Sequence, residues 1–337
     1  MKKLYIISNE KISENNGQFY CDNIDIKSTP EGLKEFFEVQ LIAKKSQEPR
    51  KHFINLDKVK VFKSLLSFLI EIIKIPQDKN SEFLIISLSP YTFLACILLR
   101  IFKKKPFIYL RSNGFDEYKL ILGTLGYLVY FFMFYISLNL SHFISCRKYI
   151  LKGCRGDLVA PSQLSNKWFE NVTKPNFNSI KLLFVGRIRK EKGIFSLLEI
   201  LKNNQDINLT IVGESNNESN IASNSNVNIL KIISNTSQLI KTYDSHNIFI
   251  LPSYTEGYPM ALLESLSRFR PVIIFPEVKH IIGDKKGIFV SERNHKSLIG
   301  IVNFIKNNID QIQEDMEKNS LPTNEDFIVS LKKIILK

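Results

Sequence analysis

Short apolar runs alternating with segments of helical period constrain this chain more than any other feature. In its second half the runs fall at residues 181–185, 208–212, 227–232, 248–251 and 271–275, with a shorter one at 287–290. Helical patterns lie at 194–201, 236–243, 259–267 and 295–306. The runs are too short for helices and are rich in Ile, Leu, Val and Phe, as strands buried on both faces are. Strands separated by helices predict a parallel, doubly wound α/β sheet, because parallel neighbours need a crossover. The first half repeats the pattern. Its strands are read at 4–8, 39–43, 52–55, 83–88, 107–111 and 157–161, and its helices at 61–73 and 91–102, with a polar loop holding Asn16-Gly17 after the first strand. At 337 residues the chain is long enough for two domains. We place them at 1–165 and 180–322, joined by a polar linker at 166–179 that holds the only Trp, Trp168, with a final helical segment at 323–337. An Asn- and Ser-rich stretch at 214–226 reads as a solvated loop.

The formal net charge is +13, unevenly spread. Residues 1–174 hold 26 Lys and Arg against 16 Asp and Glu; residues 175–337 hold 20 against 17. A basic half suits an anionic surface, either membrane or nucleic acid. A Lys-, Asn- and Ile-rich composition from AT-rich codons is the plainer reading. No zinc spacing or aromatic RNA-binding signature accompanies the charge, which disfavours nucleic acid. Cys21, Cys96, Cys146 and Cys154 form no Cys-x-x-Cys pair. That argues against zinc and against a disulfide framework, and it fits a reducing, cytoplasmic compartment. The apolar run that opens the chain reads as a strand, too short for a signal peptide.

Between Lys119 and Arg147 the chain carries no Lys, Arg, Asp or Glu. Residues 120–140 are long enough to span a bilayer. Gly123, Thr124, Gly126, Ser137 and Asn139 weigh against a span, as does the alternation continuing on both sides. Three placements stand, in this order: a helix within or at the face of the domain, a helix in the membrane interface, and a spanning helix.

Two stretches carry the chemistry. The run 248–251 leads into turn residues, then Pro259 in the first turn of a helix, where its missing N–H is not needed. That helix start offers unpaired N–H groups and a positive dipole end, which suits an anion. Glu256 and Glu264 flank it, and carboxylates accept from hydroxyls. The second stretch, 183–193, turns at Gly186 after a strand and closes at Gly193 before a helix. It brings Arg187 and Lys192 to the carboxyl end of the sheet, where ligands of open α/β sheets bind. One such cation about 4 Å from a phosphate oxygen contributes up to ~4 kcal/mol before desolvation. Each of these charges taken alone is a solvated surface residue. Their shared place at strand ends makes a diphosphate clamp the better reading.

Gly186-Arg187 with Lys192-Gly193, then Pro252-Ser253 with Glu256-Gly257-Tyr258-Pro259 and Glu264, resemble family 4 of the retaining nucleotide-sugar glycosyltransferases (glycosyl transferases group 1). The match covers roughly residues 181–290. The resemblance implies the GT-B architecture, two Rossmann-like domains with parallel sheets facing a central cleft. It implies an N-terminal acceptor domain, a C-terminal donor domain, and a final helix crossing back to the first. It implies that Arg187 and Lys192 hold the donor diphosphate, that Glu256 serves the donor sugar and Glu264 the ribose. Gly186, Gly257, Tyr258, Pro259, Met260 and Ala261 would line the donor, with Ser234 and Asn235 near the base. No Asp-x-Asp motif occurs, which fits a clamp with no metal and no cofactor.

The chain departs from the family in three places. Phe269 stands where a Gly is usual. Asn16-Gly17 replaces a Gly-Gly loop. The loop at 111–117 lacks a His. Gly17, Arg111, Asn113 and Asp116 thus become acceptor-side candidates, although Asp116-Glu117 reads slightly better as a helix N-terminal charge pair. The expected reaction moves a hexose from a UDP- or GDP-linked sugar to a glycan or lipid-linked glycan, in bacterial cell-surface polysaccharide or lipopolysaccharide synthesis. An anionic membrane surface is the expected location of this peripheral, cytoplasmic protein. A nucleotide-sugar epimerase of the same architecture and a non-catalytic sugar-nucleotide-binding module are the alternatives.

Overall fold

Parallel strand pairing organises the chain into two units: Met1–Pro161 with Asn324–Lys337, and Ser162–Thr323. The computed structural model describes residues 1–75, 80–202, 204–213 and 226–337. Residues 214–225, nearly all of the Asn- and Ser-rich loop, lie outside the described residues.

The first unit contains β1 (Lys3–Asn15), β2 (Gln18–Cys21), α1 (Ile24–Leu33), β3 (Glu38–Lys45), β4 (His52–Ile54), β5 (Val59–Phe62) and α2 (Leu65–Ile73). It continues with β6 (Ser81–Ile86), α3 (Pro90–Ile101), β7 (Phe107–Leu110), α4 (Gly114–Leu140), β8 (His142–Ser145) and β9 (Asp157–Leu158). Among the described residues its parallel strands run in the order β5-β3-β1-β6-β7-β8-β9.

Three readings change here. The loop expected around Asn16-Gly17 is the tip of a hairpin. β1 runs on past its parallel partners and turns back, Asn15 pairing with Gln18. Asn16 and Gly17 have φ +49° and +74°, the two left-handed residues that a tight hairpin turn needs. The helix expected at 61–73 is a strand and then a helix. Ser64 ends the strand and caps α2, accepting from the Ser67 N–H at 3.2 Å. Finally, α1 was hidden by Pro30 inside it. It holds because Ile26, Pro30 and Leu33 are buried and the C-terminal helix (Asn324–Ile335) lies on it. A Cβ added to Gly32 would sit 2.6 Å from Ile328. Phe327, Ile328, Leu331, Ile334 and Ile335 complete this unit's core.

The second unit contains β10 (Ile180–Val185), α5 (Ile194–Leu201), β11 (Ile207–Val212), β12 (Val227–Leu230), α6 (Thr236–Asp244) and β13 (Ile248–Leu251). Then follow α7 (Met260–Ser267), β14 (Val272–Ile274), β15 (Ile288–Val290), α8 (His295–Asn307) and α9 (Ile309–Glu317). Its described strands are all parallel, in the order β12-β11-β10-β13-β14-β15. Trp168, placed in the linker from sequence, is instead buried in this unit's core, its ring edge-on to Tyr243 at 5.5 Å. Phe269 has φ +53°. That left-handed conformation explains why Gly is usual there. Here the Phe side chain packs on the core and offsets part of the strain.

Candidate active site

In the second unit the strand order reverses between β10 and β13. At such a switch point the two crossovers leave in opposite directions and the carboxyl ends of the strands open a crevice. Both motifs land there. β10 leads into Gly186 and Arg187, and β13 leads into residues 252–256.

Gly193 lets the two loops meet. Its φ of +67° is left-handed, and a Cβ there would lie 1.9 Å from the Pro252 carbonyl oxygen. Only glycine fits both demands. The Tyr254 N–H donates to the Glu191 carbonyl at 2.9 Å and ties the loops again. Lys192 then reaches across, its Nζ donating to Glu256 Oε1 at 2.6 Å. Ser253 Oγ donates to the same oxygen at 2.6 Å. The Glu256 side chain is only 8% exposed, so its orientation is fixed before any ligand arrives. Gly186, Lys192, Glu256, Pro259, Met260 and Ala261 line a pocket of about 130 Å³. α7 begins at Met260, with Pro259 as its N-cap and not inside its first turn as expected. That cap makes no side-chain hydrogen bond. The first N–H groups of α7 therefore remain uncapped by a side chain at the pocket's edge.

Glu264 sits one turn further along α7. The Tyr243 hydroxyl lies 2.8 Å from its Oε2. Burial pushes the Glu264 carboxyl up from 4.5 to about 7, against the opposing pull of the Tyr243 hydrogen bond. The folded protein thus keeps a proton that the unfolded chain releases above about pH 4.5. Stability falls as pH climbs from 4.5 to 7, by on the order of 3 kcal/mol, and then levels off. Replacing Glu264 by Gln is expected to remove this fall. The check is whether urea midpoints at pH 5 and pH 8 draw closer together in the variant than in the parent.

Residues 167–321 match the family described as Glycosyl transferases group 1. The matched stretch, 155 of the 337 residues, lies within the second unit. A Haemophilus influenzae protein described as an uncharacterized glycosyltransferase is 28% identical over 166 residues, 46% of each chain. The Staphylococcus aureus capsular polysaccharide biosynthesis glycosyltransferase CapM is 25% identical over 149 residues, 40% of this chain and 38% of that one. The chain spans less than half the length of these curated relatives. Sucrose-phosphate synthase from Thermosynechococcus elongatus superposes with a TM-score of 0.73 at 14% identity, over 99% of this chain and 98% of that one. The fold is GT-B.

Within the second unit, the structure does not gather every expected residue. Arg187 is exposed at the end of β10 and outside the pocket lining. Gly257 and Tyr258 are half-buried in the loop before Pro259. Asn235 caps α6, its Oδ1 accepting from the Gln238 N–H at 3.0 Å, and Ser234 beside it is exposed. Both follow β12, two strands from β10, or about 10 Å at the usual strand spacing.

In the first unit, Arg111 follows β7 and pairs with Glu10 at 3.2 Å and Asp25 at 3.3 Å. Asn113 Nδ2 donates to Asp116 Oδ2 at 2.5 Å. Asp116 and Glu117 occupy the first turn of α4, where negative charge is favoured. Arg111, Asn113 and Asp116 thus share the carboxyl end of β7. Gly17 does not join them, since it sits in the hairpin turn and β1 runs five residues beyond Glu10 before that turn, or ~17 Å at 3.3 Å per residue.

One residue of the second unit escaped sequence reasoning. Arg293 lies between the Tyr254 and Phe275 rings, 3.9 and 4.4 Å from their centroids. Its Nη2 donates to the Pro252 carbonyl at 2.7 Å, and its Nε to Glu277 at 2.6 Å. It braces the loop that carries Ser253 and Glu256. Arg293 follows β15, about forty residues after that loop, and no local pattern links the two.

Proposed function

We propose that the protein transfers a hexose, with retention, from a UDP- or GDP-linked sugar to a hydroxyl of a glycan or lipid-linked glycan. The setting is synthesis of a bacterial cell-surface polysaccharide or lipopolysaccharide, in the cytoplasm. The observation that carries this reading is the Lys192–Glu256 pair at the β10/β13 switch point, beside the start of α7. The family match over this unit and the capsular-polysaccharide relative support it.

In this reading Lys192 and Arg187 take the donor diphosphate together with the first N–H groups of α7. Charge growing on the leaving nucleoside diphosphate then meets positive charge already in place. A phosphate competing for Lys192 frees the Glu256 carboxylate. Glu256 accepts from hydroxyls of the donor sugar and supports the positive charge developing at its anomeric carbon. Glu264 accepts from the ribose hydroxyls. Lysine, arginine and a helix end supply the charge, so the reaction needs no metal.

Thermal unfolding in the presence of a panel of nucleotide sugars tests the reading. The donor, at a hundred times its Kd, raises stability by about 2.7 kcal/mol, and turnover with an acceptor persists in EDTA. NMR of the product's anomeric proton reports retention. If no nucleotide sugar raises the melting temperature, the reading fails. Donor consumption without any acceptor would point to an epimerase instead.

A further inference from the structure

By length and composition α4 could cross a membrane. Its geometry says otherwise. Phe115 and Phe134 are nineteen residues apart, which is ~28 Å along a straight helix, yet their ring centroids are 5.1 Å apart. Tyr118 and Tyr130 are 5.2 Å apart. The chain breaks helical geometry at Gly123, with φ +64° and ψ −147°. Gly126 lies so close to the opposite arm that a Cβ would fall 2.0 Å from the Tyr118 carbonyl oxygen. Residues 114–122 and 124–140 are therefore the two arms of a helical hairpin. The longer arm reaches ~26 Å at 1.5 Å per residue, short of the ~30 Å hydrocarbon core, and the shorter arm about half of that.

The hairpin has two unlike sides. Phe115, Tyr130, Met133 and Phe134 are buried, with Phe134 against Phe143 of β8 at 5.0 Å. The bend and the outer face are open: Leu120 is 72% exposed, Ile121 73%, Leu125 66% and Phe132 61%. Exposed aliphatic side chains massed at one bend are unfavourable in water and mark a contact surface. Half-exposed Tyr127 and Tyr135 lie further along the longer arm, the kind of side chain that settles at the level of lipid headgroups. Lys119 stands exposed just before the bend, while Asp116 and Glu117 stay back at the hairpin's root. The unit that carries the hairpin, residues 1–161 with 324–337, has 27 Lys and Arg against 17 Asp and Glu.

We propose that this hairpin is a wedge that inserts its bend into one leaflet of an anionic bilayer. The apolar bend enters the acyl region, the tyrosines rest at the headgroups, and Lys119 with the net positive charge of the unit favours lipid phosphates. The assignment is independent of the donor-site reading, because its readout is binding and not turnover.

The test is flotation of the purified chain with vesicles of phosphatidylglycerol and phosphatidylcholine, compared with phosphatidylcholine alone, at low and high salt. Binding is expected to the anionic vesicles and to weaken in salt. The double variant I121D/L125D should bind at least tenfold more weakly while keeping the parent's circular dichroism and melting temperature, since both positions face solvent. Absence of binding to anionic vesicles at low salt overturns the proposal. So does a double variant that binds as the parent does. A parent that self-associates through this face, with the double variant monomeric and vesicle binding unchanged, would make the face a contact between copies, and the bilayer assignment would fall.

Discussion

Turnover by a Lys192→Ala protein is expected to fall by about 10²–10³, the range seen when one preorganised group that stabilises transition-state charge is removed. Lys192 is poised for this role by its surroundings. Gly193 draws its loop against Pro252, and Glu256 holds its ammonium at 2.6 Å in a pocket lined by the start of α7. The same substitution should weaken binding of a nucleoside diphosphate, because the proposed clamp loses one of its two cations. Glu256→Gln separates the two roles. That variant keeps an acceptor for Ser253 and leaves Lys192 free, so nucleoside diphosphate binds as well as before or better while turnover drops. Lys192→Ala also strands a nearly buried carboxylate, so both proteins must be assayed well below their melting temperatures. A Lys192→Ala protein that turns over within threefold of the parent would remove Lys192 from the mechanism.

The second large effect concerns stability. Asp244 is the only carboxylate paired with two fully buried arginines, among the described residues. Arg268 grips it with two parallel bonds, Nε to Oδ1 at 2.9 Å and Nη2 to Oδ2 at 2.7 Å. The remaining Arg268 donors reach the carbonyls of Trp168, Glu170 and Asn171. Arg270 donates to the carbonyls of Asp244, His246 and Thr173. Burial presses the Arg270 guanidinium down to about 10 against the pull of Asp244. Removing one partner of a buried ion pair costs about 3–5 kcal/mol, because the other charge stays behind unpaired. Asp244→Ala should therefore lower the melting temperature of this unit by about 10 °C. Asp244→Asn, which keeps the acceptor oxygen, should lose less. A shift below 2 °C in the Ala variant would show that the arginines find other partners at no cost.

The second unit was legible in the sequence and much of the first was not, for physical reasons. β10, β13 and α7 are set by local patterns: unbroken apolar runs, turn residues and a proline. Gly186–Gly193 and Ser253–Glu264 fall at their ends, so their meeting at a switch point follows from strand order alone. The first unit relies on long-range support. α1 exists despite Pro30 because a helix some three hundred residues later packs on it. β1 is longer than its apolar run, since Ser8, Asn9 and Glu10 interrupt the alternation before the hairpin. The Asn16-Gly17 pair is itself a hairpin signal, the one local pattern that marks this turn. The run at 59–73 changes period from two to helical at Ser64, and an apolar count alone cannot locate that change. Trp168 looked like linker because the arginines that fix its segment come a hundred residues later. Arg293 was out of reach for the same reason.

The place of the C-terminal helix sets an order of events during synthesis. Residues 162–323 form a unit from one continuous stretch, and it can close its core once that stretch has left the ribosome. The first unit is begun earlier yet must wait longer, because Phe327, Leu331 and Ile335 belong to its core and are translated after residues 162–323. Until then the faces of α1 and β1 that these side chains cover stay open to water. The usual sequence, in which the N-terminal portion folds first, is inverted. A chain ending at residue 323, once freed from the ribosome, would hold a finished second unit beside an unfinished first one, and a protease would cut only the half that was born first.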